Sequence, residues 1–479
     1  MSKPNKLLKQ NYIFIIFASI IILMNLLLYR SSLNYYFFQD DFYEIKIAKA
    51  NNFYEFISFF KFLENRSSYR PIGLQTYYFV SSSFFGFNPI GFRIITFGLL
   101  ISSFVLIYKL FKKIAHNKQV GFVTASFWIL SSVHFMSITW IAAAWNIIGT
   151  FFFILTSILF VNFCENKNIK FYILTLFTFL LTLCSFEFFV SWPVIFAFYY
   201  FLIKRNSLRQ TLMIFLPFIV FSLTYMFLRK SYASLPQIFE YNIALNIESL
   251  KLLFWYFLWS LNVPEEFKKQ VITNILIFNK TFFREFWPLV VKSFVGVLMI
   301  TIIGIILPLT LALIRKTKIN YRIISFAIIW FVSAISPVLI LPNHYFSMYA
   351  TLASIGIYFL IAYLTNNYWR TIIILFLLII WLGMSYTTIS FYKDNSWMIE
   401  SQRFSKEFAN RITERFPTLP PNAIVVYPLN DKRHIQALLY DYAIKEIYNE
   451  PSLTIYYNNE EFLNDLHVDR LKGRKVFVY

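Results

Sequence analysis

Two adjacent carboxylates, Asp40 and Asp41, are the first residues of this chain whose types and spacing suit chemistry. They follow the first long apolar run and are flanked by Phe37, Phe38 and Phe42. Like charges and apolar surroundings both raise the pKa of a carboxyl group, and a carboxylate placed in this way suits proton removal from a hydroxyl or metal binding. The pair is equally typical of a solvated loop, or of a cap for a helix that begins at Phe42. Spacing alone favours neither interpretation.

Four more polar side chains stand between apolar segments. Glu187 separates two apolar runs, and an acidic residue there is either part of a functional site or the cap of a turn. Arg70 precedes a proline, and its guanidinium either binds phosphate in a bidentate manner or extends to lipid phosphates. His134 and His344 lie on two short turns, and each alone is more typical of interfacial hydrogen bonding than of catalysis. The aromatic residues around His134 and Trp145 are expected to be interface anchors.

The composition of the chain predicts a membrane environment for these residues. Of the 479 residues, 58% are hydrophobic and 14% are charged, and the mean hydropathy is +0.58. A soluble domain cannot bury so large an apolar fraction, and a disordered chain would be apolar-poor. The net charge of +20 would suit nucleic acid binding, but the basic residues lie between apolar runs, as in cytoplasmic loops of bilayer proteins. We therefore predict a polytopic membrane protein with membrane lipids, and no nucleic acid, as partners.

Eleven apolar segments are long enough, or nearly so, to cross a bilayer. They lie at 12–29, 90–111, 120–137, 139–163, 171–185, 187–203, 211–228, 288–314, 321–341, 345–365 and 370–392. If the N-terminus is cytoplasmic, the connections on that side carry many Lys and Arg residues, whereas the short turns on the other side carry none. The sequence thus predicts an all-α polytopic integral membrane protein of about 11 transmembrane helices, with the six polar residues above on its outer side.

Two long outer loops, 30–89 and 229–287, contain amphipathic or aromatic-rich stretches. These stretches, Phe42–Leu63 and Leu250–Leu261, are expected to form juxtamembrane helices outside the bundle.

The composition changes at Lys393, where charges become frequent. Beyond a proline-marked linker, the pattern predicts short strands at Ala423–Tyr427 and Lys475–Tyr479, with a helix at Ile435–Tyr448 between them. We predict a membrane domain at 1–392 and a small soluble α/β domain at 393–479, which the parity of the spans places on the extracytoplasmic side of the membrane.

The sequence implies no particular cofactor. It contains no nucleotide-binding loop, no Rossmann glycine run and no Cys/His metal set, and its two cysteines make no disulfide framework. An enzyme of this kind would take an activated substrate from the membrane. A divalent cation remains an option, although no ligand cluster in the sequence demands one.

Several motifs, in the same order along the chain, resemble those of one family. Arg70–Pro71 and the run FGFNPIG at 85–91 resemble the R-P…F-G-x-N-P-x-G signature of protein O-mannosyltransferases. The closest pattern is that of the transmembrane, tetratricopeptide-repeat-containing relatives among the clan C (GT-C) glycosyltransferases. Ser185, Glu187 and Pro193 fall on the S-K-E-x-x-x-x-x-P motif of this family. Further matches are Val133–His134, Trp140–Ile141 and Ile147–Ile148, then Leu352 and Ser354–Gly356.

The resemblance implies a GT-C-like fold and transfer of a sugar from a polyprenyl-phosphate-linked donor to an acceptor hydroxyl, on a protein, lipid or glycan, at the outer face. In similar enzymes a first-loop aspartate is the base, usually the first of a pair, and cationic groups stabilise the leaving phosphate. The expected catalytic residues are therefore Asp40 or Asp41, with a preference for Asp40. The other expected site residues are Arg70 and His344 for the donor phosphate, and Glu187 and His134 for the shape of the cavity.

Two other classes of function stay open. A transporter for lipids or saccharides would contain broken helices and an inverted repeat, and no two-fold pattern is evident among the prolines of the apolar runs. A non-catalytic assembly protein derived from a transferase is compatible with several departures from the family motifs, such as Asn146 and Phe186. The Lys, Asn, Ile and Phe richness of the chain indicates an AT-rich prokaryotic genome, and hence the plasma membrane.

Overall fold

The computed structural model describes residues 3–62, 69–232, 239–271, 279–316, 319–467, 471 and 473–479, with the backbone alone for residues 3–13 and 467. Leu63, the end of the first predicted amphipathic stretch, lies outside these residues. The α-helices in chain order are α1 (Lys3–Tyr29), α2 (Asp40–Ile47), α3 (Phe53–Ser58), α4 (Tyr77–Phe85), α5 (Pro89–Ala115), α6 (Lys118–Ile129), α7 (Phe135–Thr139), α8 (Trp145–Asn166), α9 (Ile169–Leu183), α10 (Trp192–Phe198), α11 (Leu208–Tyr232), α12 (Ile247–Ser260), α13 (Glu266–Lys269), α14 (Lys280–Glu285), α15 (Trp287–Thr301), α16 (Leu307–Ile314), α17 (Tyr321–Leu339), α18 (Ala350–Tyr368), α19 (Thr371–Asn395), α20 (Trp397–Arg415), α21 (Lys432–Ala437), α22 (Tyr442–Ile447) and α23 (Asn459–His467).

Each of the eleven predicted apolar segments coincides with apolar helix, so the chain is an integral, multi-pass, mostly helical membrane protein. Eight helices of the described chain are long and apolar enough to cross a membrane: Phe14–Asn34, Pro89–Ala115, Ile141–Asn166, Leu208–Tyr232, Trp287–Ile314, Tyr321–Leu339, Ser347–Tyr368 and Thr371–Asn395. A ninth span would combine α6 with Ser132–Thr139, which meet at a bend of 47°. The remaining two apolar segments are the shorter helices Ile169–Leu183 and Glu187–Ile203.

Asparagine side chains begin several of these helices. Asn88, Asn117, Asn168 and Asn320 precede α5, α6, α9 and α17, and each accepts a hydrogen bond from a backbone N–H of the first helical turn. Such caps satisfy donors that have no partner within the helix. The short connections between apolar helices are therefore set by local sequence.

The core of the bundle surrounds α18, most of whose side chains are buried. Three buried tryptophans fix the helices around it through their indole N–H groups. Trp128 in α6 donates to the carbonyl oxygen of Thr351 over 2.9 Å, Trp330 in α17 donates to that of Leu352 over 3.0 Å, and Trp381 in α19 donates to that of Phe127 over 2.9 Å. Buried indoles normally find such partners, and these bonds fix the depth at which the helices pack.

The described part of residues 423–479, which we call the C-terminal unit, contains three parallel strands in the order β2–β1–β3: β1 (Ile424–Val426), β2 (Thr454–Tyr456) and β3 (Val476–Val478). The first and last of these strands along the chain, β1 and β3, match the two predicted strands. The strand β2 and the helix α23 have no counterpart among the predicted elements. The predicted single helix Ile435–Tyr448 is wrong. Leu439 and Tyr440 adopt left-handed conformations (φ 46° and 57°), which end α21 and start α22 in a new direction.

One end of the bundle, which we call the capped end, carries residues 30–62 and 69–88, the turn before α18 and the C-terminal unit. Arg93, fully buried at the start of α5, joins several segments there. Its guanidinium donates to the carbonyl oxygens of Tyr35 (2.7 Å) and Thr139 (3.0 Å) and to the side chain of Gln402 (3.4 Å) in α20. The segment that leads to Asp40 is therefore tied to the helices beneath it.

The close approach of α17 and α18 requires Gly356. A Cβ atom at this position would lie 2.5 Å from the carbonyl oxygen of Ala327 and 2.9 Å from the amide nitrogen of Phe331. We expect Gly356→Ala to destabilise the bundle by about 1–3 kcal/mol, as overpacking against backbone does, and to lower the thermal unfolding midpoint in detergent. Gly383→Ala is the matched control, since nothing lies within 4 Å of its added Cβ. Equal midpoints for the two variants would contradict the packing described here.

Candidate functional site

A cavity of about 860 Å³ opens at the capped end of the bundle. Its polar lining residues are Asp40, Tyr43, Glu44, Arg70, Gln75, Glu187, Arg229, Lys230, Tyr241, His344 and Tyr349. Its apolar lining includes Trp140, Trp145, Phe188, Met226, Phe227, Ile243, Pro337, Ile340, Leu341 and Met348. The structure thus brings four of the six predicted site residues, Asp40, Arg70, Glu187 and His344, to one cavity.

The two adjacent aspartates have different environments. Asp40 begins α2 and its side chain is exposed to the cavity. Protein still surrounds it closely enough that burial raises the pKa of its carboxyl group, an effect that the positive charge of Arg70 opposes. Asp40 is therefore an accessible carboxylate with an increased affinity for a proton.

Asp41 is fully buried and all of its described contacts are structural. One carboxylate oxygen accepts from the backbone N–H of Phe38 over 3.0 Å, and the other accepts from the hydroxyl of Tyr78 and the N–H of Ala142, both over 2.7 Å. Burial raises the pKa of Asp41 to about 7, and these hydrogen bonds oppose the rise. Asp41 lies behind the cavity wall and holds three chain segments together there.

Arg70 reaches Glu187 because a turn of π-helix places it there. The turn, Pro71–Thr76, follows Arg70 directly, and the N–H of Ile72 donates to the carbonyl oxygen of Cys184 over 3.0 Å. Gly73 permits this approach, since a Cβ there would lie 2.4 Å from the carbonyl oxygen of Ser185. The arginine and the glutamate, far apart in sequence, therefore meet at the cavity wall.

Glu187 is shared between two arginines. Arg70 donates to both of its carboxylate oxygens, from Nε and from a terminal nitrogen, each over 2.8 Å. Arg229, near the end of α11, donates to one of the same oxygens over 2.9 Å. The guanidinium of Arg70 also stacks over the ring of Trp145, 4.2 Å from its centroid. Two positive charges held by one negative charge leave this wall of the cavity attractive to an anion.

His344 borders the cavity beside these groups. Its Nε2 is 3.0 Å from the hydroxyl oxygen of Tyr349, and its ring stacks on that of Tyr241 with centroids 4.5 Å apart. Burial lowers the pKa of His344, and the nearby charge of Arg70 lowers it further. The imidazole is therefore held in its neutral form, which can donate or accept a hydrogen bond but adds no charge.

The structure places His134 away from the cavity lining, contrary to the expectation that it shapes the cavity. The side chain is fully buried. Its Nε2 lies 2.7 Å from the carbonyl oxygen of Trp128, and its ring packs against the Trp128 indole. It fills the bend between α6 and the next helical segment, and we leave it out of the site. Trp140 and Trp145, expected as interface anchors, instead line the cavity.

The basic pair Arg229–Lys230 belongs to the cavity lining but not to the predicted site. A signal existed in the sequence, because this basic pair ends a span on the side that is predicted to be outer, and it departs there from the expected bias toward cytoplasmic Lys and Arg. Glu44 and Gln75 were missed as well; Gln75 donates to a carboxylate oxygen of Glu44 over 3.2 Å. Helical spacing within α2 places Glu44 beside Asp40, whereas only the fold brings Gln75 to this position.

One side of the cavity is bordered by apolar side chains at the ends of two spans. Met226 and Phe227 come from α11, and Pro337 comes from α17 with Ile340 just after it. Phe227 is 69% exposed, and exposed apolar side chains on spanning helices face lipid in a bilayer. The polar wall is therefore reached from a surface that suits hydrocarbon.

The donor set for a metal ion is small. Among the described residues, no group of three or more His, Cys, Asp and Glu side chains is placed to hold a metal ion. Asp40 and Glu44 are one helical turn apart on the cavity side of α2.

Comparisons with known proteins add little to this geometry. No family model matches the chain, and a search of curated proteins finds no match. Among solved structures the chain is similar to ArnT from Cupriavidus metallidurans, described as bound to undecaprenyl phosphate, with a TM-score of 0.49 and 10% sequence identity. The similarity covers 96% of this chain and 89% of that chain.

Removing the charge of Glu187 is expected to lower the free energy of unfolding. The Glu187→Gln variant keeps the shape of the side chain but leaves Arg70 and Arg229, only 15% and 18% exposed, without a counter-charge. Breaking a buried ion pair in this way costs about 3–5 kcal/mol, which thermal unfolding of the purified protein will detect. Glu248→Gln, which removes an exposed pair with Lys251, is the control and should cost less than about 1 kcal/mol. A similar small loss in both variants would show that the cluster is not structurally important.

Proposed function

We propose that this protein is a glycosyltransferase that moves a sugar from a polyprenyl-phosphate-linked donor to an acceptor hydroxyl in this cavity. The observation that carries the proposal is the arrangement of one accessible carboxylate, Asp40, and two arginines, Arg70 and Arg229, around a single cavity with a lipid-facing border. A base, a phosphate site and access for an isoprenoid are the three requirements of such a reaction.

The donor would enter from the apolar border. Its isoprenoid chain would remain among lipid and the side chains of Met226, Phe227 and Ile340, while its phosphate would bind near Arg70 and Arg229. A guanidinium fits phosphate oxygens in a bidentate manner. The stacking of Arg70 on Trp145 and its bonds to Glu187 fix its orientation before the substrate arrives, which reduces the reorganisation needed during the reaction.

The reaction would form a bond between the acceptor oxygen and the anomeric carbon of the sugar, and break the bond between that carbon and the phosphate oxygen. Asp40 would take the proton of the acceptor hydroxyl. The leaving polyprenyl phosphate would carry away the bonding electrons, and the two arginines would stabilise the charge that develops on it. His344, held neutral, is placed to add a hydrogen bond to the phosphate.

The membrane orientation follows from the same proposal. The distribution of Lys and Arg favours a cytoplasmic N-terminus and puts the capped end outside, where a lipid-linked donor replaces soluble nucleotide sugars. A prokaryotic plasma membrane is the proposed location, and the acceptor is a protein, lipid or glycan. A transporter, or an assembly protein without activity, would not require an accessible base, and this difference separates the three functions experimentally.

Substitution of Asp40 should affect sugar transfer, whereas substitution of Asp41 should affect the stability of the protein. Asp40→Asn is expected to reduce sugar transfer by about 100-fold or more, as loss of a general base does, without altering thermal stability. Asp41→Asn should instead lower stability by about 1–3 kcal/mol, since the amide replaces one of the two accepting oxygens with an NH2 group that faces a buried hydrogen-bond donor. Loss of transfer is measured in cells as accumulation of the unused polyprenyl-phosphate-linked sugar in lipid extracts. Normal lipid levels with Asp40→Asn would overturn the enzymatic proposal.

Arg229 should contribute to binding of the lipid phosphate. Arg229→Gln is expected to weaken binding of undecaprenyl phosphate to the purified protein by at least about tenfold, the scale of a charge-assisted hydrogen bond. Arg209→Gln, at the opposite end of the same helix, is the matched control. The uncharged alcohol undecaprenol should bind the wild type and both variants equally. Equal binding of undecaprenyl phosphate by Arg229→Gln and Arg209→Gln would contradict this role of Arg229.

A further inference from the structure

The turn that presents Asp40 to the cavity has an unfavourable backbone conformation. The carbonyl oxygen of Phe38 accepts from the N–H of Asp41 over 3.1 Å, which closes a β-turn with Gln39 and Asp40 at its centre. Gln39 has φ 48° and ψ −124°, the conformation of the first central residue of a type II′ turn, where glycine is strongly preferred. A residue with a Cβ persists there only when its surroundings enforce the conformation.

The C-terminal unit supplies one of the enforcing contacts. The backbone N–H of Gln39 donates to the carbonyl oxygen of Ala437 over 2.8 Å. Ala437 is the last residue of α21, and carbonyl groups at a helix end have no partner within their own helix. The left-handed conformations of Leu439 and Tyr440 end the helix there. A broken helix in the C-terminal unit thus provides the acceptor that the strained residue needs.

A second contact holds the helix that follows the turn. The ring of Tyr442 in α22 packs edge-to-face against Tyr43 in α2, with centroids 5.7 Å apart, and the ammonium group of Lys46 lies 4.6 Å from the centroid of the Tyr442 ring. Lys49, just after α2, forms an ion pair of 2.9 Å with Glu446, whose side chain is only 7% exposed. The C-terminal unit therefore contacts α2 along its length.

The same helix lines the cavity on its other side. Asp40, Tyr43, Glu44 and Ile47 all belong to the cavity lining. We infer that the C-terminal unit is a positioning element, which holds the strained turn at Gln39, and with it the carboxylate of Asp40, in the orientation that proton transfer requires. The inference rests on the proposed function, because it gives the contacts with Ala437 and Tyr442 a role in the rate of transfer and not in donor binding.

The experiment uses the full-length protein in lipid nanodiscs, with polyprenyl-phosphate sugars extracted from the membranes of its own organism as donor. Release of polyprenyl phosphate is followed by mass spectrometry at several donor concentrations. Tyr442→Ala is expected to lower kcat by about tenfold, because a small displacement of a reacting group is costly. The donor KM should change by less than about twofold, because Arg70 and Arg229 bind the phosphate elsewhere in the cavity. Tyr442→Phe, which keeps the ring, should behave as the wild type.

Glycine at position 39 provides the decisive control. A glycine adopts the turn conformation without help, so the double variant Gln39→Gly with Tyr442→Ala is expected to recover kcat to within about threefold of the wild-type value. Unchanged kcat in Tyr442→Ala, or no recovery with Gln39→Gly, would overturn the inference. If Tyr442→Ala does not fold, Glu446→Lys replaces it, because the new charge repels Lys49, and Lys49→Glu should then restore the rate.

Asp40→Asn separates failure of this inference from failure of the proposed function. Full transfer by Asp40→Asn would remove Asp40 as the base and the proposed mechanism with it. Loss of transfer in Asp40→Asn together with wild-type kcat in Tyr442→Ala would leave the mechanism intact and refute the positioning role alone.

Discussion

The shared carboxylate of Glu187 is the interaction on which the cavity depends. Two guanidinium groups that are largely removed from water would be very unfavourable without a counter-charge, and Glu187 lies within hydrogen-bond distance of both. Its bonds also join three separate parts of the chain: the turn after Arg70, the segment before α10 and the end of α11. Because one negative charge serves two positive ones, the cluster keeps an excess of positive potential while it remains stable. A cavity wall of this kind is suited to an anion that arrives later.

The β-turn before α2 gives the two adjacent aspartates different roles. Adjacent residues at the start of a helix point in different directions, and here one carboxylate faces the cavity while the other is surrounded by donors. Through these hydrogen bonds, Asp41 connects the turn to α4 and to the segment before α8. Asp40 does not have that role, and its carboxylate faces the cavity, where the surrounding protein removes enough water to raise its pKa. The strain at Gln39 is the structural consequence of this arrangement, and contacts from the C-terminal unit offset it.

The cavity combines a charged inner wall with an apolar border. Its inner wall carries charged groups and aromatic rings, whereas its border consists of apolar side chains from the ends of spanning helices. An amphiphile with a phosphate next to a long hydrocarbon chain matches both surfaces at once. A purely polar substrate would leave the border unused, and a purely apolar lipid would leave the excess positive charge of the two arginines uncompensated. This complementarity links the charge cluster, the accessible carboxylate and the membrane location in one functional proposal.

The sequence by itself determined the class of the protein, the positions of the eleven apolar helices and the presence of polar residues at one end of the bundle. These features follow from local composition, because hydrocarbon excludes unpaired backbone groups and charge wherever the residues lie in the fold. It also predicted two of the three strands at the C-terminus. Tertiary structure alone decided which of two neighbouring aspartates is accessible, because one turn and the donors around it set that difference. It also decided that His134 is packed away from the cavity and that Arg229 joins Arg70 at Glu187, since these contacts connect residues that no sequence period relates.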